Sequence, residues 1–433
     1  MWQTAQVRNQ VSEVFRSRGT SQLSTSAPCQ SPQIRYEFKL VTSKPAQPKP
    51  QDKPPTTVAP ASVHAQDGRQ FHSVGNGRGF RSEGGEPLLK VDLAYETWGS
   101  LNAEGSNAVL ICHALTGDSH ATGRSDSSHP DVGWWEALIG PGLAVNTDEL
   151  FVVCPNVLGG CQGSTGPASL DPLTGLPYGS KFPVVTIRDM VRTQASLATA
   201  LGVRRWHCVI GGSMGGMQAL EWAIMYPDRV RSMVLASSTA KASAQQIAWS
   251  HIGRSAIEAD PAFYGGDYYE EGLGLGPQRG LAVARMAAQI TYRSDQEFSE
   301  RFDRRSDKPL EFSLDQCFEV ESYLEYHGQK LVKRFDANSY LRLNRAMDFH
   351  DVGRNRNGVA AALARVHAPA LVASVTSDTL YPPEQQQRLH QGLLDAGKKS
   401  TWLEIQSKCG HDGFLVETAQ LASPIAEFLE EHA

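Results

Sequence analysis

No run of about 18 apolar residues occurs anywhere in the sequence, so no segment is long enough to span a bilayer as a helix. The N-terminus also lacks the short apolar stretch of a secretory signal. Seven cysteines are present but none stands in a CxxC pair, and several sit in apolar runs. That usage points to a reducing compartment in which the thiols serve as small hydrophobes. No cluster of His, Cys and Asp has ligand spacing, so no metal is expected. The net charge is only −5 over 433 residues, without a basic stripe or a long like-charge block, which argues against a nucleic-acid partner. No internal repeat is visible, which excludes solenoids and propellers. The expectation is a soluble globular protein whose partners are small molecules.

What is present falls into two kinds of sequence. Residues 1–65 accumulate Ser, Thr and Pro with little apolar periodicity, a composition that cannot bury a core and is expected to be disordered. Within them, residues 1–30 carry Arg8, Arg16 and Arg18 against the single acid Glu13. This is either an organelle presequence, which would lead to the mitochondrial matrix, or an untargeted tail on a cytoplasmic protein. From Pro87 onward short apolar runs alternate with helical patterns, as a doubly wound, mostly parallel sheet requires. Strands are expected at 88–97, 108–113, 150–155, 206–210, 230–236, 370–375 and 401–405. Helices are expected at 188–201, 218–226, 384–394 and 419–430. Between 241 and 347 the alternation fails and long helical patterns rich in Arg, Tyr and Phe take over. The expected organisation is therefore an extension (1–65), a first core segment (66–240), a helical lid insertion (241–347) and a second core segment (348–433).

Gly211-Gly212-Ser213-Met214-Gly215-Gly216 contains G-x-S-x-G between an expected strand and an expected helix. The bare motif is common by chance, and a glycine-rich turn whose Ser merely caps a helix would look the same. Context favours a nucleophile. A serine raised on a tight strand-to-helix turn needs neighbours without side chains, and the Met214 N–H then points to where an oxyanion would form.

The partners of such a serine occur in the chain order of the α/β-hydrolase fold, acid after one late strand and histidine after the last. Asp378 follows the strand at 370–375, and His411 follows the strand at 401–405. Asp378 would hold the neutral imidazole tautomer while His411 takes the proton from Ser213 and returns one to the leaving group. An Asp in a loop is often only a turn residue, and Asp412 competes for the acid role. Adjacent residues rarely aim both side chains at one hydrogen bond, so Asp412 is left for substrate.

Several segments together resemble the homoserine O-acetyltransferases of methionine biosynthesis. They are GGSMGGMQALEW at 211–222, HALTGDSH at 113–120, NVLGGCQGSTG at 156–166, DANSY at 336–340 and GHDGFL at 410–415. The similarity runs from about Phe80 to the C-terminus. It implies ping-pong acyl transfer: Ser213 takes acetyl from acetyl-CoA as cosubstrate, CoA leaves, and the hydroxyl of L-homoserine, deprotonated by His411, attacks the acyl-enzyme. Met214 would supply one oxyanion N–H, and the loop near Leu115 the second. It further implies Arg285 for the substrate carboxylate, Asp412 for its ammonium, no bound cofactor and a homodimer. An exposed helical arginine is the plainer reading of Arg285. Residues 342–347 depart from the family pattern, which leaves the acceptor side of the insertion less constrained. Relatives also use succinyl-CoA or acylate L-serine. A carboxylesterase-type hydrolase would keep the same triad, and a silent scaffold would keep only the fold.

Overall fold

The computed structural model describes residues 68–125, 131–269, 276–306 and 309–433. The candidate presequence and the remainder of the 1–65 extension lie outside the described residues. Eight strands form one sheet: β1 (Gln70–Ser73), β2 (Asp92–Trp98), β3 (Ala108–Cys112), β4 (Phe151–Pro155), β5 (Trp206–Gly212), β6 (Met233–Ala236), β7 (Ala370–Val375) and β8 (Ser400–Ile405). Their order across the sheet is β1-β2-β4-β3-β5-β6-β7-β8. Only β2 runs against the rest, pairing antiparallel with both β1 and β4. The other neighbours are parallel.

Every residue of β3, β5, β6 and β7 is buried, because a parallel sheet carries helices on both faces and its strands read as unbroken apolar runs. Alternate side chains serve two separate cores. Leu110, Val209, Leu235 and Val372 face one, closed by helices α1 (Ile187–Ala200), α2 (Met214–Met225) and, further along the chain, α8 (Pro383–Asp395). Val109, Ile210, Val234 and Leu371 face the other, closed by Leu421, Ile425 and Phe428 of α9 (Thr418–Glu431).

Between β6 and β7 the described chain is helical: α3 (Ala244–Glu258), α4 (Gln278–Tyr292), α5 (Asp295–Arg301), α6 (Glu319–Val332) and α7 (Ala337–Asp348). Ser243 caps α3 in a reciprocal box with Gln246, and Asp336 caps α7 through the Ser339 N–H, so both helices start where the sequence offers a short polar acceptor. The chain enters and leaves this region through one clasp, in which Ala242 N donates to His350 O at 2.9 Å and Val352 N to Ala240 O at 2.9 Å.

Three elements differ from expectation. The strand expected at 88–97 is two pieces, because Pro87 and Leu88 pair with Phe80 and Arg81 in a separate ribbon before β2 begins at Asp92. Pro87 offers no N–H to a central ladder and stays at an edge. The run expected at 230–236 pairs continuously only from Met233, with Val230 making an isolated bridge to Trp206. The helix expected from Gln218 starts at Met214, directly after the serine.

Candidate active site

β5 delivers the chain to Ser213 at the carboxyl edge of the sheet, and α2 leaves immediately. Ser213 has φ 55° and ψ −123°, a positive-φ conformation that costs a side-chain-bearing residue about 1–3 kcal/mol. The surroundings hold it there. Ser213 N donates to Ala236 O at 2.9 Å, while Ser213 O accepts from Gly216 N at 3.0 Å and from the Ser238 hydroxyl at 2.8 Å. The flanking glycines answer to close approach. A Cβ on Gly211 would stand 2.3 Å from the Gly215 carbonyl carbon, and one on Gly215 would stand 2.0 Å from Cys112 O, at the end of β3. Gly215→Ala is therefore expected to lower stability by at least about 3 kcal/mol, since only backbone can yield. A urea or thermal melt within about 1 kcal/mol of the parent would contradict this.

Asp378 lies just beyond β7, 3% exposed. Its Oδ1 accepts from Leu380 N at 2.9 Å and Tyr381 N at 2.8 Å, and its Oδ2 meets His411 Nδ1 at 2.7 Å. With a carboxylate on Nδ1, the imidazole proton belongs there and Nε2 keeps its lone pair. That Nε2 is buried and has no hydrogen-bond partner among the described residues. Burial works to lower the His411 pKa, but the Asp378 carboxylate, helped by Asp412, outweighs it and raises the value above that of an ordinary histidine. Gly410 N is fixed by the Ser377 hydroxyl at 2.9 Å, which ties the histidine loop to the acid loop.

Ser213 and His411 converge on Tyr381. Its ring stacks on the imidazole, with centroids 5.0 Å apart and planes 25° apart, and the Ser213 side chain is near enough to act on its phenol, against the larger effect of burial. Tyr292 and Phe414 complete the aromatic enclosure of the imidazole, with centroids 5.9 and 5.5 Å away. Burial pushes the Tyr381 and Tyr292 phenols up, so both remain proton donors.

Met214 opens α2, so its N–H has no acceptor within its own helix. Leu115 sits in the loop after β3, next to the start of α2. A hydrogen bond from Gly117 N to Ala114 O at 3.0 Å closes a turn there and leaves the Leu115 N–H outside it.

Arg285 is half-buried on α4, its guanidinium 5.2 Å from the Tyr292 ring centre. With the Gln289 amide turned to satisfy both of its ends, Gln289 Oε1 accepts from Arg285 Nη2 at 2.7 Å. Tyr292 follows Arg285 by two helical turns and so shares its face, which links the arginine to the imidazole. Asp412 is not free: its Oδ2 pairs with Arg293 Nη2 at 3.0 Å. A carboxylate beside a buried imidazole needs a counter-charge, and the end of α4 supplies it. Tyr381, Tyr292 and Arg293 are absent from the sequence reading. The seven-residue spacing from Arg285 to Tyr292 was the one local signal available.

A narrow space of about 50 Å³ separates the sheet from the helices above it, lined by Leu115, Trp249, Tyr292, Tyr340, Asp348 and Tyr381 among others. A roomier depression of about 700 Å³ lies at the opposite edge, around Asn102, Asn146, His207 and Arg231. Neither space is lined by Ser213, Asp378 or His411 themselves, so chemistry rather than size locates the site. Among the described residues no group of three or more His, Cys, Asp or Glu could hold a metal ion. No described helix is long and apolar enough to cross a membrane.

The family described as alpha/beta hydrolase fold matches residues 107–418. A homoserine O-acetyltransferase from Thermobifida fusca (strain YX) is 54% identical over 349 residues, which cover 81% of this chain and 91% of that protein. The chain belongs to the homoserine O-acetyltransferase family. The crystal structure of a homoserine O-acetyltransferase from Bacillus anthracis superposes with a TM-score of 0.78 at 29% identity, covering 83% of this chain and 97% of that one. Esterase E22 superposes with a TM-score of 0.76 at 31% identity, covering 83% and 99%. The backbone of the homoserine O-acetyltransferase family is thus shared with a protein named for ester hydrolysis.

Proposed function

We propose that this chain transfers the acetyl group of acetyl-CoA to the hydroxyl of L-homoserine through an ester on Ser213, a step of methionine biosynthesis. The observation that carries this reading is the Asp378–His411 pair at 2.7 Å, with the His411 Nε2 left without a hydrogen-bond partner and its ring stacked on Tyr381, whose phenol also feels the Ser213 side chain. His411 Nε2 takes the Ser213 proton as Oγ attacks the thioester carbon. The oxyanion is held by the Met214 and Leu115 N–H groups, and its collapse expels CoA, whose sulfur takes the proton back from the imidazolium. L-Homoserine then gives its hydroxyl proton to His411, its oxygen attacks the ester, and Ser213 leaves with that proton.

An amino-acid acceptor is a zwitterion, and Arg285 for its carboxylate with Asp412 for its ammonium supply the complementary charges. The Arg293 pairing supports this, since it holds the Asp412 carboxylate in place by one oxygen. We place the reaction in a homodimer. Val283 and Ile290, seven residues apart and half-exposed on α4, together with Ile252 on the neighbouring α3, give the insertion an apolar patch suited to self-association.

The likeness to esterase E22 favours a hydrolase as the second reading. Free-thiol release from acetyl-CoA separates the two: release dependent on L-homoserine supports acyl transfer, and equal release in buffer alone supports hydrolysis. The same assay with succinyl-CoA and with L-serine fixes donor and acceptor. Arg285→Ala is expected to raise the KM for L-homoserine about 10- to 100-fold while leaving the first release of CoA intact, because a charge-assisted pair to substrate is lost and the acylation machinery is not touched. Slowed acylation with an unchanged KM would remove Arg285 from the acceptor site.

A further inference from the structure

An oxyanion hole works only if its donors are aimed before charge develops, so what holds the Leu115 N–H in place is itself part of the machinery. That N–H belongs to the peptide linking Ala114 and Leu115. The carbonyl of the same peptide accepts twice, from Gly117 N at 3.0 Å and from the adjacent His113 Nδ1 at 2.8 Å. His113 is 1% exposed, and its Nε2 accepts from Val157 N at 3.1 Å, so its proton resides on Nδ1. Gln218 of α2 donates to His113 O at 3.2 Å, which ties this support to the helix that carries Met214. The inner side of the turn is therefore anchored in the core.

The outer side is anchored elsewhere. Thr116 O, two peptides beyond the donor, accepts from Arg334 Nη1 at 2.9 Å. Arg334 lies in the short connection between α6 and α7 and belongs to the helical region above the sheet. That connection is itself seated on the loop after β4: Gln162 Nε2 donates to Arg334 O at 2.6 Å, and Asp336 N contacts Cys161 Sγ at 3.4 Å. A turn gripped at one carbonyl can still pivot about it. Gripped at the Ala114 and Thr116 carbonyls, one on each side of Leu115 O, it cannot.

We propose that Arg334 is a positioning residue for acyl transfer: by pinning the Thr116 carbonyl it fixes the turn that aims the Leu115 N–H, so the oxyanion hole is complete only when the α6–α7 connection is seated on the core. The inference rests on the reading of Ser213 as the acyl carrier. It deepens that reading by making the helical region part of the catalytic geometry as well as a cover. Tetrahedral intermediates form in both half-reactions, so a misaimed donor slows both. Ground-state binding of the acceptor, which involves Arg285 and Asp412, is untouched.

The test compares the full chain with Arg334→Met, which keeps the stem and loses every donor, and with Arg334→Gln, a second variant should the first not fold. Three quantities are measured: CoA release from acetyl-CoA, acetyl transfer to L-homoserine, and affinity for trifluoroacetone. That ketone adds to Ser213 Oγ, the serine proton passes to His411, and the carbonyl oxygen becomes an oxyanion in the hole. Both variants are expected to slow the two half-reactions about 10- to 100-fold, to weaken the ketone adduct by the same factor, and to keep the KM for L-homoserine within about twofold. Unchanged rates in a folded variant, slowed rates with full ketone affinity, or a loss confined to KM would each overturn the proposal. A parent protein that releases no CoA would instead count against the proposed function, and the ketone affinities would then decide the role of Arg334 on their own.

Discussion

Ser213→Ala removes turnover by a factor of at least about 10⁴ while leaving the fold and acetyl-CoA binding in place. The size of the effect follows from where the residue stands. Its strained backbone is fixed by Ala236, Gly216 and Ser238 through main-chain atoms, not through the hydroxyl, so alanine adopts the same turn. What disappears is the atom that forms the ester. Steady-state release of CoA in the presence of L-homoserine measures the loss directly, and an alanine variant retaining a tenth or more of parent activity would mean that acetyl passes from donor to acceptor without a serine ester.

Asp378→Asn comes second, with an expected drop of about 10⁴ in the acylation rate. The carboxylate now accepts from His411 Nδ1 at 2.7 Å and is oriented by the Leu380 and Tyr381 amides. An amide in the same place can present its NH₂ to the ring and favour the wrong tautomer, with the proton on Nε2, where the base must be free. The pH profile carries the sign. His411 acts as a base only when neutral, and Asp378 holds its pKa above the ordinary value despite burial. The acid limb of kcat/KM in the parent is therefore expected above about pH 6.5. Without the carboxylate, burial dominates and the residual activity of the variant has its acid limb shifted to lower pH. A limb that stays in place after the substitution would show that another group sets it.

The parts of this site that could be read from the sequence are those where local chemistry leaves few choices. The elbow is legible because a raised serine between a buried strand and a helix forces glycine at 211 and 215. β3 and β7 are legible because burial on both faces produces the unbroken runs AVLIC and ALVASV. Asp378 and His411 follow once strand order is assumed, and the alternation of residues 88–113 suffices for β2 and β3 apart from the break at Pro87. β1 escaped notice: four residues at a sheet edge, three of them exposed, carry no apolar signature. Tyr381 and Tyr292 escaped for a different reason. Their importance lies in stacking against a histidine distant in the chain, a relation that no spacing rule encodes. Arg293, the counter-ion of Asp412, escaped because it is brought there only by the docking of α4 against the histidine loop. The oxyanion turn shows the same limit, since HALTGDSH marks the loop but gives no hint that Arg334, more than two hundred residues later, grips it.

The most direct test is mass analysis of the protein after brief exposure to acetyl-CoA with no acceptor present, followed by digestion. The expected result is a single acetyl group on the peptide containing Ser213, released on addition of L-homoserine with formation of its O-acetyl ester and absent in Ser213→Ala. An acetyl group on another side chain, or homoserine acetylation at full rate with no acetyl-serine ever detected, would contradict it.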